Sequence, residues 1–184
     1  MIALIILIVI VVLLVIYGIA TYNGLIRKRN QVENAWSQID VQLKRRIDLI
    51  PNLVETVKAY AAHEKDTLDA VVRARNAAIA APDTPAGQSE ANNQITGALR
   101  QLFALSEAYP DLKANQNFLA LQEELTATEG RVAYARQFYN DSVLGYNNKI
   151  QSFPVSLIAK PPKFDKREYF EADEASREVP KVQF

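Results

Sequence analysis

The stretch from Gln42 to Ala61 decides the fold and reads "QLKRRIDLIPNLVETVKAYA". Apolar residues recur along it and upstream of it every three or four positions, which is typical of one buried face of a helix. The series comprises Val32, Trp36, Ile39, Leu43, Ile47, Ile50, Val54, Val57 and Ala61. Leu68, Val72 and Ile79 are predicted to continue the same face.

Pro51 lies within this series, and two structures fit it. In the first, one long helix bends at the proline and loses a backbone hydrogen bond, at a cost of about 3 kcal/mol. In the second, a new helix starts with Asp48 as its N-cap, so that Pro51 occupies the first turn, where no N–H is needed. Because the apolar phase passes unbroken through the proline, we favour the bent continuous helix, with Asp48 and Pro51 as its hinge.

Upstream, the chain begins "MIALIILIVIVVLLVIYGIATYNGLI" and carries no charged side chain before Arg27. A helix over residues 2–22 would be about 31 Å long, which matches a hydrocarbon core of about 30 Å. A cleaved signal peptide is the alternative, because Gly18-Ile19-Ala20 loosely fits a small-x-small cleavage site. The segment has no basic n-region, however, and its apolar run exceeds the usual length of about 7–15 residues. We therefore predict an uncleaved transmembrane anchor over residues 1–26.

The residues that flank this segment predict how it sits in a membrane. Tyr17 and Tyr22 are suited to the lipid–water interface, and Arg27, Lys28 and Arg29 follow directly. Positive charge is enriched on the cytoplasmic side of spans and contacts anionic head groups. We expect a single-pass protein of the cell membrane with its N-terminus outside and its C-terminal domain in the cytoplasm. Membrane lipid is the first expected partner.

Downstream, the pattern stays helical. "APDTPAGQSE" at residues 81–90 is a turn segment, a helix follows it, and Tyr109-Pro110 stops that helix, leaving Asp111 to cap the next. The last predicted helix has an apolar seam that averages 3.5 residues per step, as in coiled coils. The seam comprises Phe118, Leu121, Leu125, Thr128, Val132, Ala135, Tyr139, Val143, Tyr146, Ile150 and Phe153.

The predicted fold is therefore all-α. The transmembrane helix is followed by an elongated antiparallel bundle over residues 27–153, with three helices, or four if the first breaks at Pro51. Residues 154–184 form an extended, proline-containing C-terminal tail. Its apolar side chains are predicted to pack along grooves of the bundle, and about its last ten residues are predicted to be loose.

Composition excludes several classes of function. Lys+Arg and Asp+Glu are equal at 21 each, so no net field favours nucleic acid. There is no cysteine, and His63 is the single histidine, so thiol chemistry and the usual zinc sites are absent. We expect no cofactor, no metal and no enzymatic activity. A hydrolase centred on His63 remains a disfavoured alternative.

Four blocks of the sequence carry a resemblance to a known family. They are "YNGLIRKRNQVENAWSQIDVQLKRR", "DLIPNLVETVKAYAAHEKDTL", "EAYPDLKANQNFLALQEELTATEGRVAYARQFYND" and "YNNKIQSFP". Together they resemble the LemA family of bacterial membrane proteins, from Tyr22 to about Phe170. Ile47 departs from the family, in which a histidine or tyrosine often precedes Asp-Leu-Ile-Pro. The resemblance implies a single N-terminal span, a helical cytoplasmic domain and no known catalytic activity. Some relatives are associated with building internal membranes and others with membrane proteases.

Two functions compete. The first is a self-associating scaffold at the cytoplasmic membrane face that organises or remodels the membrane, so a homo-oligomer is expected. The second is an adaptor for a membrane protease or an envelope-stress complex, which requires a membrane-protein partner. The predicted partner contacts are Lys44, Arg45 and Arg46 on the helix and Phe164, Tyr169 and Phe170 in the tail.

Overall fold

A computed structural model describes residues 1–160 and 163–171 of the chain. In this part of the chain the fold is all-α, as predicted. The helices are α1 (Ile2–Lys58), α2 (Lys65–Ala80), α3 (Pro85–Ser106), α4 (Pro110–Lys113) and α5 (Gln116–Gln151), followed by a 3₁₀ turn at Val155–Leu157. The prediction of a loose end concerns residues that lie outside the described part.

The chain forms two compact units. Among the described residues, unit one comprises Met1–Ser37 and the chain from Gln137 to Glu168, and unit two comprises Gln38–Arg136 together with residues 169–171. Both α1 and α5 contribute residues to each unit. The predicted boundaries at residues 26 and 153 stay predictions.

Unit one pairs α1 with the C-terminal part of α5. The ring centroids of Trp36 and Tyr139 lie 5.4 Å apart. Further along, Gly145 faces Lys28, because a Cβ atom at Gly145 would lie 3.5 Å from Lys28 Nζ. From the first contact to the second, the position on α1 falls from 36 to 28 while the position on α5 rises from 139 to 145, so the two helices are antiparallel here. Their buried apolar side chains are Leu25, Val32, Ala35, Tyr139, Val143, Tyr146 and Ile150.

Unit two buries one apolar core to which five helices contribute. Its buried members come from α1, α2, α3, α4 and the start of α5: Ile50, Leu53, Val57, Ala61, Leu68, Val71, Ala74, Ala78, Ala91, Ile95, Leu99, Leu102, Leu112, Phe118 and Leu125. The chain enters α3 through a capped turn, in which the Thr84 side chain accepts a hydrogen bond from Gly87 N (3.2 Å) and Pro85 takes the first helical position.

The predicted continuation of the first helical face beyond Ala61 is wrong. The helix ends at Lys58, and residues 59–64 form a turn in which Val57 O accepts from both Tyr60 N and Ala61 N. This turn resets the helical phase, so α2 buries Leu68 and Val71 but leaves Val72 and Ile79 exposed. No glycine or proline marks the turn in the sequence, which is why the pattern did not predict it.

The helix does continue through Pro51, as we favoured, and Asp48 does not act as an N-cap. Pro51 has no N–H to donate to the carbonyl four residues earlier, which is that of Ile47. The structure supplies a replacement, because Arg75 Nε on α2 lies 3.4 Å from Ile47 O. The predicted hinge motion stays a prediction.

The seam of α5 is largely confirmed, since nine of its predicted members are buried. Two details differ. The helix is capped by the Asn115 side chain, which accepts from Phe118 N at 3.0 Å, whereas Asp111 lies in α4. Phe153, predicted as the last core member, lies beyond the helix end and is 81% exposed.

Candidate functional site

The N-terminal part of α1 is covered by nothing within the described chain. All of its large apolar side chains from Ile2 to Ile16 are about half exposed or more, from 49% to 76%. Among the described residues, α1 is the one helix long and apolar enough to cross a membrane. A membrane span and a signal sequence both fit this description.

The residues predicted for the membrane interface follow this apolar segment along the helix. Tyr17 is 45% exposed, and Tyr22 is half-buried by the returning tail. Arg27 and Lys28 are exposed. Arg29 forms an ion pair with Glu33 one turn further along α1, with 3.7 Å between Arg29 Nε and Glu33 Oε1. The structure therefore keeps two of the three consecutive cations available to an external anion.

The tail contacts α1 at the C-terminal end of its apolar segment. Phe164 is 2% exposed and meets the Tyr22 ring edge-on, with centroids 5.6 Å apart. Lys163 Nζ lies 4.9 Å from the centroid of the same ring, within the range of a cation–π contact. Two consecutive tail residues thus contact one aromatic ring of α1.

An amide side chain on α5 holds the next part of the tail. Asn147 Nδ2 donates to Arg167 O at 2.9 Å, and Asn147 Oδ1 accepts from Arg167 N at 2.9 Å. The Tyr139 hydroxyl donates to Glu168 O at 2.9 Å, and burial raises the pKa of that hydroxyl. Arg167 also reaches Glu33 on α1 at 3.3 Å. The predicted packing of the tail on the bundle is confirmed for these residues.

In unit two the tail continues to pack on its own chain. Phe170 is 2% exposed, with the Arg136 guanidinium 5.6 Å from its ring centroid. The Ser89 hydroxyl donates to Glu171 O at 3.0 Å. Tyr169 is 44% exposed. Of the three tail residues predicted as partner contacts, Tyr169 therefore presents its side chain at the surface of the described chain.

The three consecutive cations of α1 in unit two have different surroundings. Lys44 is exposed, and Arg45 forms an ion pair with Glu124 at 2.6 Å on the surface. Arg46 is 1% exposed and points inward, where one guanidinium nitrogen donates to Asn92 Oδ1 (2.7 Å) and to Thr96 Oγ1 (3.0 Å). Its other terminal nitrogen lies 3.4 Å from Glu129.

Burial lowers the pKa of the Arg46 guanidinium, and the charge of Glu129 opposes this shift. Because Glu129 remains half exposed, we ascribe most of the compensation for burial to the two neutral acceptors on α3. Arg46 thereby joins α1 to α3 and α5 through side-chain contacts. Asn92, Thr96 and Glu129 were missed in the sequence, where polar residues on a helix usually indicate a solvated face.

The predicted hinge residues are both on the surface. Asp48 and Pro51 are exposed, so neither is a core contact of unit two. A shallow groove of about 440 Å³ lies nearby between α1 and α5 and is lined in part by Leu49, Asn52 and Leu121.

Residues with catalytic potential do not converge within the described part of the chain. His63 is exposed in the turn after α1, and its neighbour Glu64 accepts a hydrogen bond from the Tyr109 hydroxyl at 2.7 Å. That hydrogen bond raises the pKa of Tyr109. In residues 1–160 and 163–171 no group of three acidic or histidine side chains is arranged to hold a metal ion.

Fold and site together define a class: an all-α chain in which one helix carries a membrane-length apolar segment and also supplies the core of a helical bundle. The profile of the LemA family matches residues 35–184. The chain belongs to the LemA family.

Individual relatives agree with this assignment. The chain is 26% identical over 155 residues to Protein LemA of Metamycoplasma hominis, covering 84% of this chain and 71% of the relative. It is 24% identical over 174 residues to Magnetosome protein MamQ of Magnetospirillum gryphiswaldense. It is 26% identical over 175 residues to Magnetosome protein MamQ 1 of Paramagnetospirillum magneticum. The match covers 81% and 82% of this chain, respectively, but 64% of each MamQ protein, just under two thirds of their length.

Proposed function

We propose that this protein is a membrane-anchored, non-enzymatic helical scaffold that self-associates at the cytoplasmic face of the membrane and takes part in organising it. The observation that carries the proposal is the continuity of α1. The same helix bears the uncovered apolar segment from Ile2 and the buried residues Ile50 and Leu53 of the unit two core.

Anchoring is supported by the free energy of transferring the apolar segment into lipid. Fourteen of the fifteen residues from Ile2 to Ile16 are Ile, Leu or Val. Each favours insertion by about 0.3–0.6 kcal/mol, which gives roughly 4–8 kcal/mol in total. In water the same side chains would remain exposed, so a bilayer provides the cover that the described part of the chain does not.

The cytoplasmic orientation rests on Arg27, Lys28 and Arg29, which follow the apolar segment. A part in organising membranes agrees with the similarity to the magnetosome proteins and with the roles that the family resemblance implies. The match with MamQ covers less than two thirds of those proteins, so their further functions are not carried over.

Self-association is supported by two exposed apolar side chains on one side of α2. Val72 and Ile79 lie seven residues apart, on one side of the helix, and are 37% and 59% exposed. Ala77 is also exposed but lies about 140° around the helix from Val72, given about 100° per residue. A second copy of the chain that packs along Val72 and Ile79 would cover both side chains.

We expect amine-reactive crosslinking of native membranes, at physiological expression, to give dimers or larger species of the full chain. The chain has no cysteine, so single-cysteine variants can locate the contact. In isolated membranes treated with copper–phenanthroline as the oxidant, Ile79→Cys is expected to form a disulfide-linked dimer, and the matched variant Ala77→Cys is expected to form much less. Recovery of monomers alone after crosslinking would contradict self-association, and equal yields from the two variants would contradict a contact along Val72 and Ile79.

The adaptor remains the second candidate, and the exposure of Tyr169 between Glu168 and the buried Phe170 favours it. An exposed aromatic side chain is a common anchor of protein contacts. If the chain is an adaptor, Tyr169→Ala should abolish recovery of a co-purifying membrane protein from detergent while leaving homo-oligomers intact. Phe170→Ala is an unsuitable variant because it removes a buried ring.

A further inference from the structure

The turn that follows α5 exposes two large apolar side chains. Phe153 is 81% exposed and Leu157 is 62% exposed, although Ile150 and Val155 beside them are buried. Isolated apolar residues on a surface need no explanation, but two on one short turn form a small apolar tip. We call residues 153–157 the apolar turn.

Contacts within unit one give the level of this turn along α1. Lys28 lies opposite Gly145, and the two helices are antiparallel. From Gly145 to the end of α5 at Gln151 there are six residues, or about 9 Å of helix. The same number of residues back from Lys28 leads to Tyr22. The apolar turn therefore starts at the level of Tyr22, at the end of the predicted span.

The tail gives an independent check on this level. Phe164 and Lys163, a few residues after the apolar turn, both contact the Tyr22 ring. After the apolar turn, the tail thus contacts α1 again at Tyr22, at the C-terminal end of the apolar segment.

The charges around the apolar turn suit an anionic surface. Residues 149–166 contain four lysines and one aspartate. Lys149, Lys160 and Lys163 are exposed. Apolar side chains at the tip with lysines around them are typical of segments that lie in the lipid interface, where cations meet anionic head groups and apolar groups reach the acyl chains.

We propose that the apolar turn is a second membrane contact, in which Phe153 and Leu157 enter the lipid interface beside α1. This inference rests on the proposed anchoring of α1, and its occupant is the leaflet into which α1 passes. A bilayer is favoured over a protein partner because the turn is level with Tyr22, where the apolar helix meets lipid. Two attachment points on unit one would restrict its rotation about the axis of α1.

Depth-dependent quenching of fluorescence tests this contact on the full chain. Phe153→Cys and Leu157→Cys are each labelled with an environment-sensitive fluorophore and reconstituted into vesicles of phosphatidylcholine and phosphatidylglycerol. The vesicles contain lipids with a nitroxide on the acyl chain. Val12→Cys reports on the span. Gln137→Cys is the matched aqueous control, because it is exposed on the same unit and lies about 21 Å along α5 from Gln151.

We expect the labels at positions 153 and 157 to emit at shorter wavelength than the label at position 137 and to be quenched several-fold more strongly. Quenching at 153 and 157 no greater than at 137, with strong quenching at position 12, would overturn this inference and leave the anchoring of α1 intact. A blue shift without lipid quenching would indicate a protein contact and would also overturn it. Absence of quenching at position 12 would instead contradict the proposed anchoring. Because both replaced side chains are exposed, fluorescence of Trp36 should remain as in the unmodified protein.

Discussion

Replacing Arg46 with alanine is expected to lower the free energy of unfolding by about 3 kcal/mol. The buried guanidinium donates to Asn92 and Thr96, and its loss leaves the Asn92 side-chain oxygen, in a residue only 6% exposed, without its charged donor. Removal of the aliphatic stem adds a cavity between the helices. The contact with Glu129 contributes less, because that carboxylate is half exposed and screened.

The measurement is thermal unfolding of the full chain in detergent, followed by far-ultraviolet circular dichroism. For a protein of this size, about 3 kcal/mol corresponds to a fall in Tm of roughly 6–12 °C. Arg45→Ala is the matched control, since the preceding arginine forms a surface ion pair with Glu124 and should change stability by less than about 1 kcal/mol. Arg46→Met, which keeps most of the volume, should fall between the two. Equal losses for Arg45→Ala and Arg46→Ala would contradict the structural role assigned to Arg46.

Replacing Pro51 with alanine is expected to stabilise the protein by about 2 kcal/mol and to raise Tm by roughly 4–8 °C. Alanine is about 3 kcal/mol better than proline inside a helix, and greater freedom of the unfolded chain offsets about 1 kcal/mol of this gain. Pro51 is exposed, so the change removes no core contact, and the new N–H can donate to Ile47 O. A fall in Tm would show that unit two requires the proline geometry itself.

Arg75 provides a second test of the same site. Its Nε donates to the carbonyl that Pro51 leaves unpaired, so Arg75→Met should cost about 1 kcal/mol in the natural background. In the Pro51→Ala background the new backbone N–H at position 51 also donates to Ile47 O. The cost of Arg75→Met should therefore be smaller there by about 0.5 kcal/mol or more. Arg73→Met, an exposed residue on the same helix, is the control. Equal costs of Arg75→Met in both backgrounds would contradict this pairing.

The sequence predicts long helices well because each buries an apolar face at regular spacing. Continuity through Pro51 followed from the unbroken phase of that face, and the seam of α5 followed from a mean step of 3.5 residues. The end of α1 at Lys58 was missed, because residues 59–64 turn without glycine or proline. Phe153 was misplaced because periodicity does not reveal where a helix stops.

The site was harder to predict than the fold. The run of three cations predicts Arg46 as a partner contact, although it lies seven residues from both Ile39 and Leu53, which are buried on the same face. That spacing was the available signal, and the usual preference of arginine for the surface outweighed it. The contacts of Asn147 with Arg167 and of Phe164 with Tyr22 join residues far apart in the chain, and spacing along one element carries no information about them.

The most direct test of the account is the location of the full chain in cells. Gln137→Cys places one thiol on the bundle of a protein that otherwise has none. We expect full-length protein to stay in the membrane fraction after alkaline carbonate extraction, and a membrane-impermeant maleimide to label it only after the membrane has been permeabilised. Labelling in intact cells, or a soluble protein that lacks the apolar N-terminal segment, would contradict a span that holds this helical domain at the cytoplasmic face.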